Sequence, residues 1–227
     1  MKKTTETKID RYRQLLHDIL GRFALNWDGE RETDSFEVGT MKYFGFENEF
    51  GWNILMNALY VFDDTEMAKE SFRKFRFGEF TSYQDVGERY LLLYGFLNSC
   101  YQQKNAIENL IEVFKLPNKV KYKEQLSSTQ MIELRNKIGA HPSNYLNNDD
   151  TNQRFNVYEV SRSDLSLGKI ELLKNQDVFE SYNLNEIQNE FDNIIETIFY
   201  LILSKFVKKK FNNQGKVFTK LQIIANK

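Results

Sequence analysis

The sequence predicts a mainly α protein: a compact helical bundle with a small β-hairpin inserted before the last long helix. Three observations predict it. Apolar residues recur at helical spacing over most of the 227 residues, the clear alternating stretch lies near 154–174, and the prolines number only two. No Gly/Ser-rich stretch offers a linker, so residues 1–227 read as a single domain, with an N-terminal elaboration over about 1–80.

Residues 8–27 are expected to form the first helix, with Ile9, Tyr12, Leu15, Leu16, Ile19 and Phe23 on one face. Asp28-Gly29 stops it, and 29–47 reads as irregular, with short extended pieces at Phe36–Val38 and Lys42–Phe46. A second helix is expected from Glu49 to Phe72, and Asp63-Asp64 is a point of interruption rather than a metal site. Residues 71–80 interleave Phe72, Phe75, Phe77 and Phe80 with Arg73, Lys74 and Arg76. That pattern suits either stacking on bases or a core edge with wet basic tips.

A third helix begins near Tyr83 and carries Tyr90, Leu93, Tyr94, Leu97 and Tyr101 at core spacing. Helical pattern continues through Ala106–Leu116 to Pro117, and Lys119, Lys121 and Lys123 follow as a basic stripe. The next helix starts around Ser127–Thr129, with Glu133 close to a capping-box position. Asp149-Asp150 reads as turn chemistry. Phe155–Val160 alternates, Ser161–Gly168 turns and Lys169–Leu173 returns as the second strand of the hairpin. The last helix is expected over Asn185–Phe211, and its apolar middle, Ile198–Leu203, is broader than one face requires.

Composition sets outer limits. An apolar fraction of 41% with 28% charged residues describes an ordinary soluble protein. Net charge is −1, so any nucleic-acid binding must rest on a local patch. The single Cys100 has no internal disulfide partner and lies in an apolar stretch, which points to a core residue in a reducing compartment. Residues 1–10 are polar, and no apolar run approaches the roughly 20 residues of a membrane span. A cytoplasmic protein without membrane attachment is expected.

The chemistry concentrates in residues 133–146. Arg135, Asn136 and His141 bring a permanent cation, an amide and a group titrating near neutrality into one segment. Leu134 and Ile138 make an apolar i,i+4 pair, and Pro142 biases His141 away from helical dihedrals, so a helix should end there. On an ideal helix Arg135 and His141 stand roughly 240° and roughly 9 Å apart, so convergence needs the length of Arg135 or a deformed last turn. Gly139 and Ala140 leave room for close approach. The plain alternative is a helix C-cap, with His141 answering carbonyls and Arg135 in a surface pair. Arg11 and His17 repeat the spacing without the small residues or proline, and read as surface residues of the first helix.

Arg-Asn, then four residues, then His-Pro at a helix end resembles the signature of the HEPN superfamily, helical proteins that include many prokaryotic ribonucleases. The resemblance covers this motif and its helical setting. It implies a HEPN-like domain whose catalytic residues are Arg135, Asn136 and His141, working without metal or other cofactor. It also implies a homodimer with the motifs facing a shared cleft, and RNA products with cyclic phosphate ends. Toxin and phage-defence roles occur among such proteins, with an antitoxin or regulatory protein as a further partner. Ser143 stands where some toxin-type relatives carry a modified Tyr, and Tyr145 lies two positions on.

Metal-free RNA cleavage needs a base for the 2′-hydroxyl, an acid for the leaving oxygen and donors for the crowded phosphate. A histidine serves as acid or base, and an arginine holds phosphate oxygens in pairs. Lys119, Lys121, Lys123 and Tyr145 are the expected substrate-binding residues, and no metal-binding cluster is read. The rival is a non-catalytic module that binds RNA, a nucleotide or a protein partner on the same scaffold.

Overall fold

Thr7 starts the first helix with a reciprocal cap: its hydroxyl accepts from the Asp10 backbone N–H, and its own N–H donates to Asp10 Oδ2 at 3.1 Å. Helix α1 then runs Lys8–Leu25. The computed structural model describes residues 6–28, 34–76, 86–140, 156–161, 168–211 and 215–226. Among them follow α2 (Phe36–Phe44), α3 (Gly51–Arg76), α4 (Val86–Val113), α5 (Lys119–Ser127) and α6 (Gln130–Arg135). A π-helical turn over Asn136–Ala140 leads to β1 (Tyr158–Val160), β2 (Lys169–Lys174) and β3 (Val178–Asn183), and then to α7 (Leu184–Phe211) and α8 (Lys216–Ala225). The protein is mainly α, with a small antiparallel sheet ahead of its last long helix.

The chain divides into two compact units: residues 1–66, 103–124 and 192–227 form the first, and 67–102 with 125–191 the second. The first unit is built on α7. Ile198, Phe199, Ile202, Leu203, Phe206 and Val207 are buried, with Phe62 of α3 edge-on to Phe199 at 4.8 Å and Tyr12 of α1 stacked beside it at 6.4 Å. The breadth of this apolar helix is thus used up inside one chain. It gives no reason of its own for a second copy. Burial, helped by Glu196 and Tyr200, pushes the Tyr12 hydroxyl up to about 12.

Residues 36–44 correct the sequence expectation of extended pieces. Ser35 accepts the Val38 N–H at its hydroxyl, and Gly45 closes the helix with φ of 75°, a left-handed conformation open to glycine. Two caps outweigh the β-branched and aromatic content between them. Around α2 the rings of Phe23, Phe36, Tyr43, Phe44 and Trp52 meet at 4.4–6.5 Å, which explains how an aromatic-rich segment is buried without a strand. Helix α3 passes through Asp63-Asp64 without a break, and Arg13 holds Asp63 at 3.0 Å. Helix α8, which sequence periodicity had not marked, packs on α1 through Leu221 and Ile224 and receives Lys8 Nζ on its last carbonyl, Ala225 O, at 3.2 Å.

In the second unit Phe72 stacks on Phe96 at 4.2 Å, so the first ring of the 71–80 stretch belongs to the core. Residues 77–85 lie outside the described residues. Leu93, Phe96, Leu97 and Cys100 are buried apolar positions of α4 here, whereas Tyr94 is 42% exposed. The hairpin is part of a three-stranded sheet of order β1-β2-β3, with Tyr158 opposite Lys174 and Ile170 opposite Tyr182. The β2–β3 turn passes through Asn175 and Gln176, both at positive φ. Asn175 tolerates that conformation, and its amide bonds Val157 N–H and Asn156 Oδ1, tying the turn to the chain entering β1.

Candidate functional site

Helix α6 starts at Thr129, whose hydroxyl donates back to Leu126 O at 2.8 Å and so does not cap the new helix. Glu133 lies one residue beyond the capping-box position and turns to Lys137 instead. Met131, Ile132, Leu134 and Ile138 are buried, which fixes the side of the segment that faces the core. After Arg135 the helix widens into the π turn. Such turns shift the phase of the side chains beyond them and recur at functional positions.

Arg135 is half-buried. Its guanidinium carbon lies 3.9 Å from the centre of the Tyr101 ring, and Nη1 donates to Asn136 Oδ1 at 3.1 Å. The ring face attracts the cation and the amide sets its rotation. A guanidinium carries five N–H donors, and one is used in this bond. With its Oδ1 engaged, the Asn136 amide keeps its N–H₂ donors for another acceptor. Arg135 and Asn136 together form a small donor patch suited to an oxyanion. Gly139 is exposed, and among the described residues a Cβ there would meet Arg135 Cγ alone, at 4.0 Å.

Lys137, on the opposite side of the turn, was not singled out by sequence. It is 2% exposed. Nζ lies 2.5 Å from Glu133 Oε1, 2.6 Å from Glu180 Oε2 and 2.8 Å from the Tyr182 hydroxyl, and 4.9 Å above the Tyr158 ring. Burial alone would lower the Lys137 pKa, but bonds to Glu133, Glu180 and Tyr182 outweigh it and raise the value. Burial likewise pushes Glu180 up, and the Lys137 bond overrides it to hold the carboxyl below its ordinary range. The Tyr182 hydroxyl is pushed up by burial. Lys137, Glu180 and Tyr182 are thereby held in one charge state near neutrality. The cluster anchors the π turn to β3, with β1 packed beside it. The Glu133–Lys137 half was readable as an i,i+4 pair; the Glu180 half is 43 residues away.

The remaining expected residues divide three ways. His141 and Tyr145 lie outside the described residues. Lys119, Lys121 and Lys123, expected as one basic stripe, belong to the first compact unit and stand on helix α5. Lys119 and Lys123, four apart, share the Glu112 carboxylate at 2.8 and 2.6 Å, and their bonds hold that carboxyl below its ordinary range. Lys121, two positions from each, falls on a different side of α5. The comparison motif of α1 behaves as expected, with Arg11 bonded to Glu6 at 3.3 Å and His17 exposed. Among the described residues no group of His, Cys, Asp and Glu could hold a metal ion, and no helix is long and apolar enough to cross a membrane. No family model, curated protein or solved structure matches this chain.

Proposed function

We propose that the protein is a metal-independent endoribonuclease of HEPN type, in which Arg135, Asn136 and His141 act on the scissile phosphate. The observation that carries this reading is the half-buried Arg135 guanidinium, stacked on Tyr101 and oriented by Asn136, at the entrance to a widened turn, Asn136–Ala140, that the motif histidine follows in sequence. A cation held in this way has lost much of its conformational freedom before substrate arrives, which favours catalysis by preorganisation. In the proposed step His141 takes or returns the proton while Arg135 and the Asn136 amide hold the phosphate oxygens. The 2′-oxygen displaces the 5′-oxygen, leaving a cyclic phosphate end.

The chain carries two histidines, and the other, His17, stands on α1 in the first compact unit. One histidine cannot be base and acid in the same turnover without changing its proton state, so a homodimer presenting two copies of 135–141 to one cleft suits the reaction. A toxin or phage-defence role, checked by an antitoxin or other regulatory protein, fits such an activity.

The test is cleavage of a mixed RNA pool in EDTA by wild type, Arg135→Ala and Arg135→Lys. Wild type should cleave and both variants should be impaired, because an ammonium does not reproduce the planar fork. Binding of RNA by wild type without cleavage would identify the rival, a non-catalytic binding module.

A further inference from the structure

A cleft of about 680 Å³ opens in the first compact unit beside α1, α2 and α8, and the proposed chemistry does not use it. Three of its described lining residues are aromatic: Phe23 near the end of α1, Trp27 just beyond it, and Tyr43 from α2. Phe23 and Tyr43 have ring centres 4.4 Å apart at 34°, and Trp27 lies 5.8 Å from Phe23. The Trp27 ring is seated on Gly39, where any Cβ would collide with it, so the absence of a side chain at 39 makes its seat. Tyr43 is 37% exposed.

The charges around these rings are unequal. Lys42 is already paired with Asp34 at 2.6 Å, so these two lining charges offset each other. Arg22 also lines the cleft, is exposed, and makes no ion pair among the described residues. Among the described lining residues, aromatic faces therefore stand beside one guanidinium that has no ion pair. Aromatic faces hold planar rings by stacking, and a guanidinium pairs with carboxylate or phosphate through two parallel bonds. The volume falls within the range of about 300–1,000 Å³ usual for small-ligand sites.

We infer that this cleft binds a planar aromatic ring bearing one anionic group, with the ring against Trp27 and Tyr43 and the anion on Arg22. Two sources share that chemistry, a mononucleotide and an aryl carboxylate, and the experiment separates them. The 227-residue chain is titrated with AMP, adenosine, benzoate and inorganic phosphate by calorimetry, with tryptophan emission as a second readout. Saturable binding of AMP or benzoate, with quenching of Trp27 followed in Trp52→Phe protein, is the expected result, and the tighter of the two names the source. Arg22→Ala should weaken the anionic ligand about tenfold, the lower end for a lost bond to a charged group. Tyr43→Leu, at an exposed ring, should weaken it without unfolding the protein, as circular dichroism checks. No saturable binding of either ring compound at millimolar concentration overturns the inference. So does phosphate binding as tightly as AMP, or an affinity unchanged in both Arg22→Ala and Tyr43→Leu.

Discussion

Lys137 Nζ lies 2.6 Å from Glu180 Oε2, joining the π turn that follows Arg135 to strand β3 across 43 residues of chain. The lysine is buried, whereas the side chains of Glu133 and Glu180 remain 38% and 25% exposed. Lys137→Met therefore leaves two carboxylates without their cation but not without water. The expected loss lies at or below the low end of the about 3–5 kcal/mol seen when a buried pair is broken. Urea denaturation measures it. A loss within experimental error would show that the cluster does not anchor the turn.

The pH dependence of that anchor has a defined sign. Glu180 is held below its ordinary value, so its contribution is present above the unfolded pKa of about 4.3 and is lost as pH falls through the folded value. Lys137 is raised, so its contribution is present below about 10.4 and is lost as pH rises through the folded value. Between pH 5 and pH 3 wild type should lose stability more steeply than Glu180→Gln. Equal slopes in the two proteins would remove Glu180 from the acid limb.

Two glycines should respond to alanine with opposite signs. At Gly51 a Cβ would lie 2.6 Å from Phe46 Cβ, an atom next to the backbone of a buried residue, and the overpacking should cost about 1–3 kcal/mol. At Gly95, exposed within α4, a Cβ meets nothing within 4 Å, and alanine should stabilise by about 0.5–1 kcal/mol. Thermal and chemical midpoints of the two variants decide it.

These cases show what was legible in the sequence. Helices α1 and α7 were, because 18 and 28 residues of apolar periodicity outvote any local signal. Helix α2 was hidden by Phe36, Val38, Tyr43 and Phe44, although Ser35 and Gly45 marked its ends. Strand β3 was not marked, because its turn uses Asn175-Gln176 rather than the commoner glycine pairs, and Val178–Asn183 was left unassigned. At the candidate site, Arg135 and Asn136 were chosen from their spacing to His141 together with the small residues and the proline that end the helix there. Tyr101 was taken for a core residue, and nothing local in the chain links it to Arg135. Glu180 and Tyr182 were equally out of reach, since only folding brings them to Lys137.

Tyr101 separates a platform for Arg135 from ordinary packing. Tyr101→Phe keeps the ring under the guanidinium and should retain RNA cleavage, whereas Tyr101→Ala should lower kcat more than it raises KM. Equal loss in both variants would assign the hydroxyl, not the ring face, to the reaction.

The lysines of α5 should contribute unequally to RNA affinity. Lys119 and Lys123 share Glu112, so Lys121→Ala should flatten the dependence of log affinity on log salt by about one unit, and Lys119→Ala by less. An unchanged slope in Lys121→Ala would leave α5 out of RNA binding.

The proposed catalytic assignment is tested most directly by the initial rate of RNA cleavage in EDTA for wild type, His141→Ala and His17→Ala, measured side by side. Loss of one acid–base catalyst should lower the His141→Ala rate by about 10²–10⁴, with His17→Ala close to wild type. Undiminished cleavage by His141→Ala, or an equal loss in His17→Ala, would contradict the account.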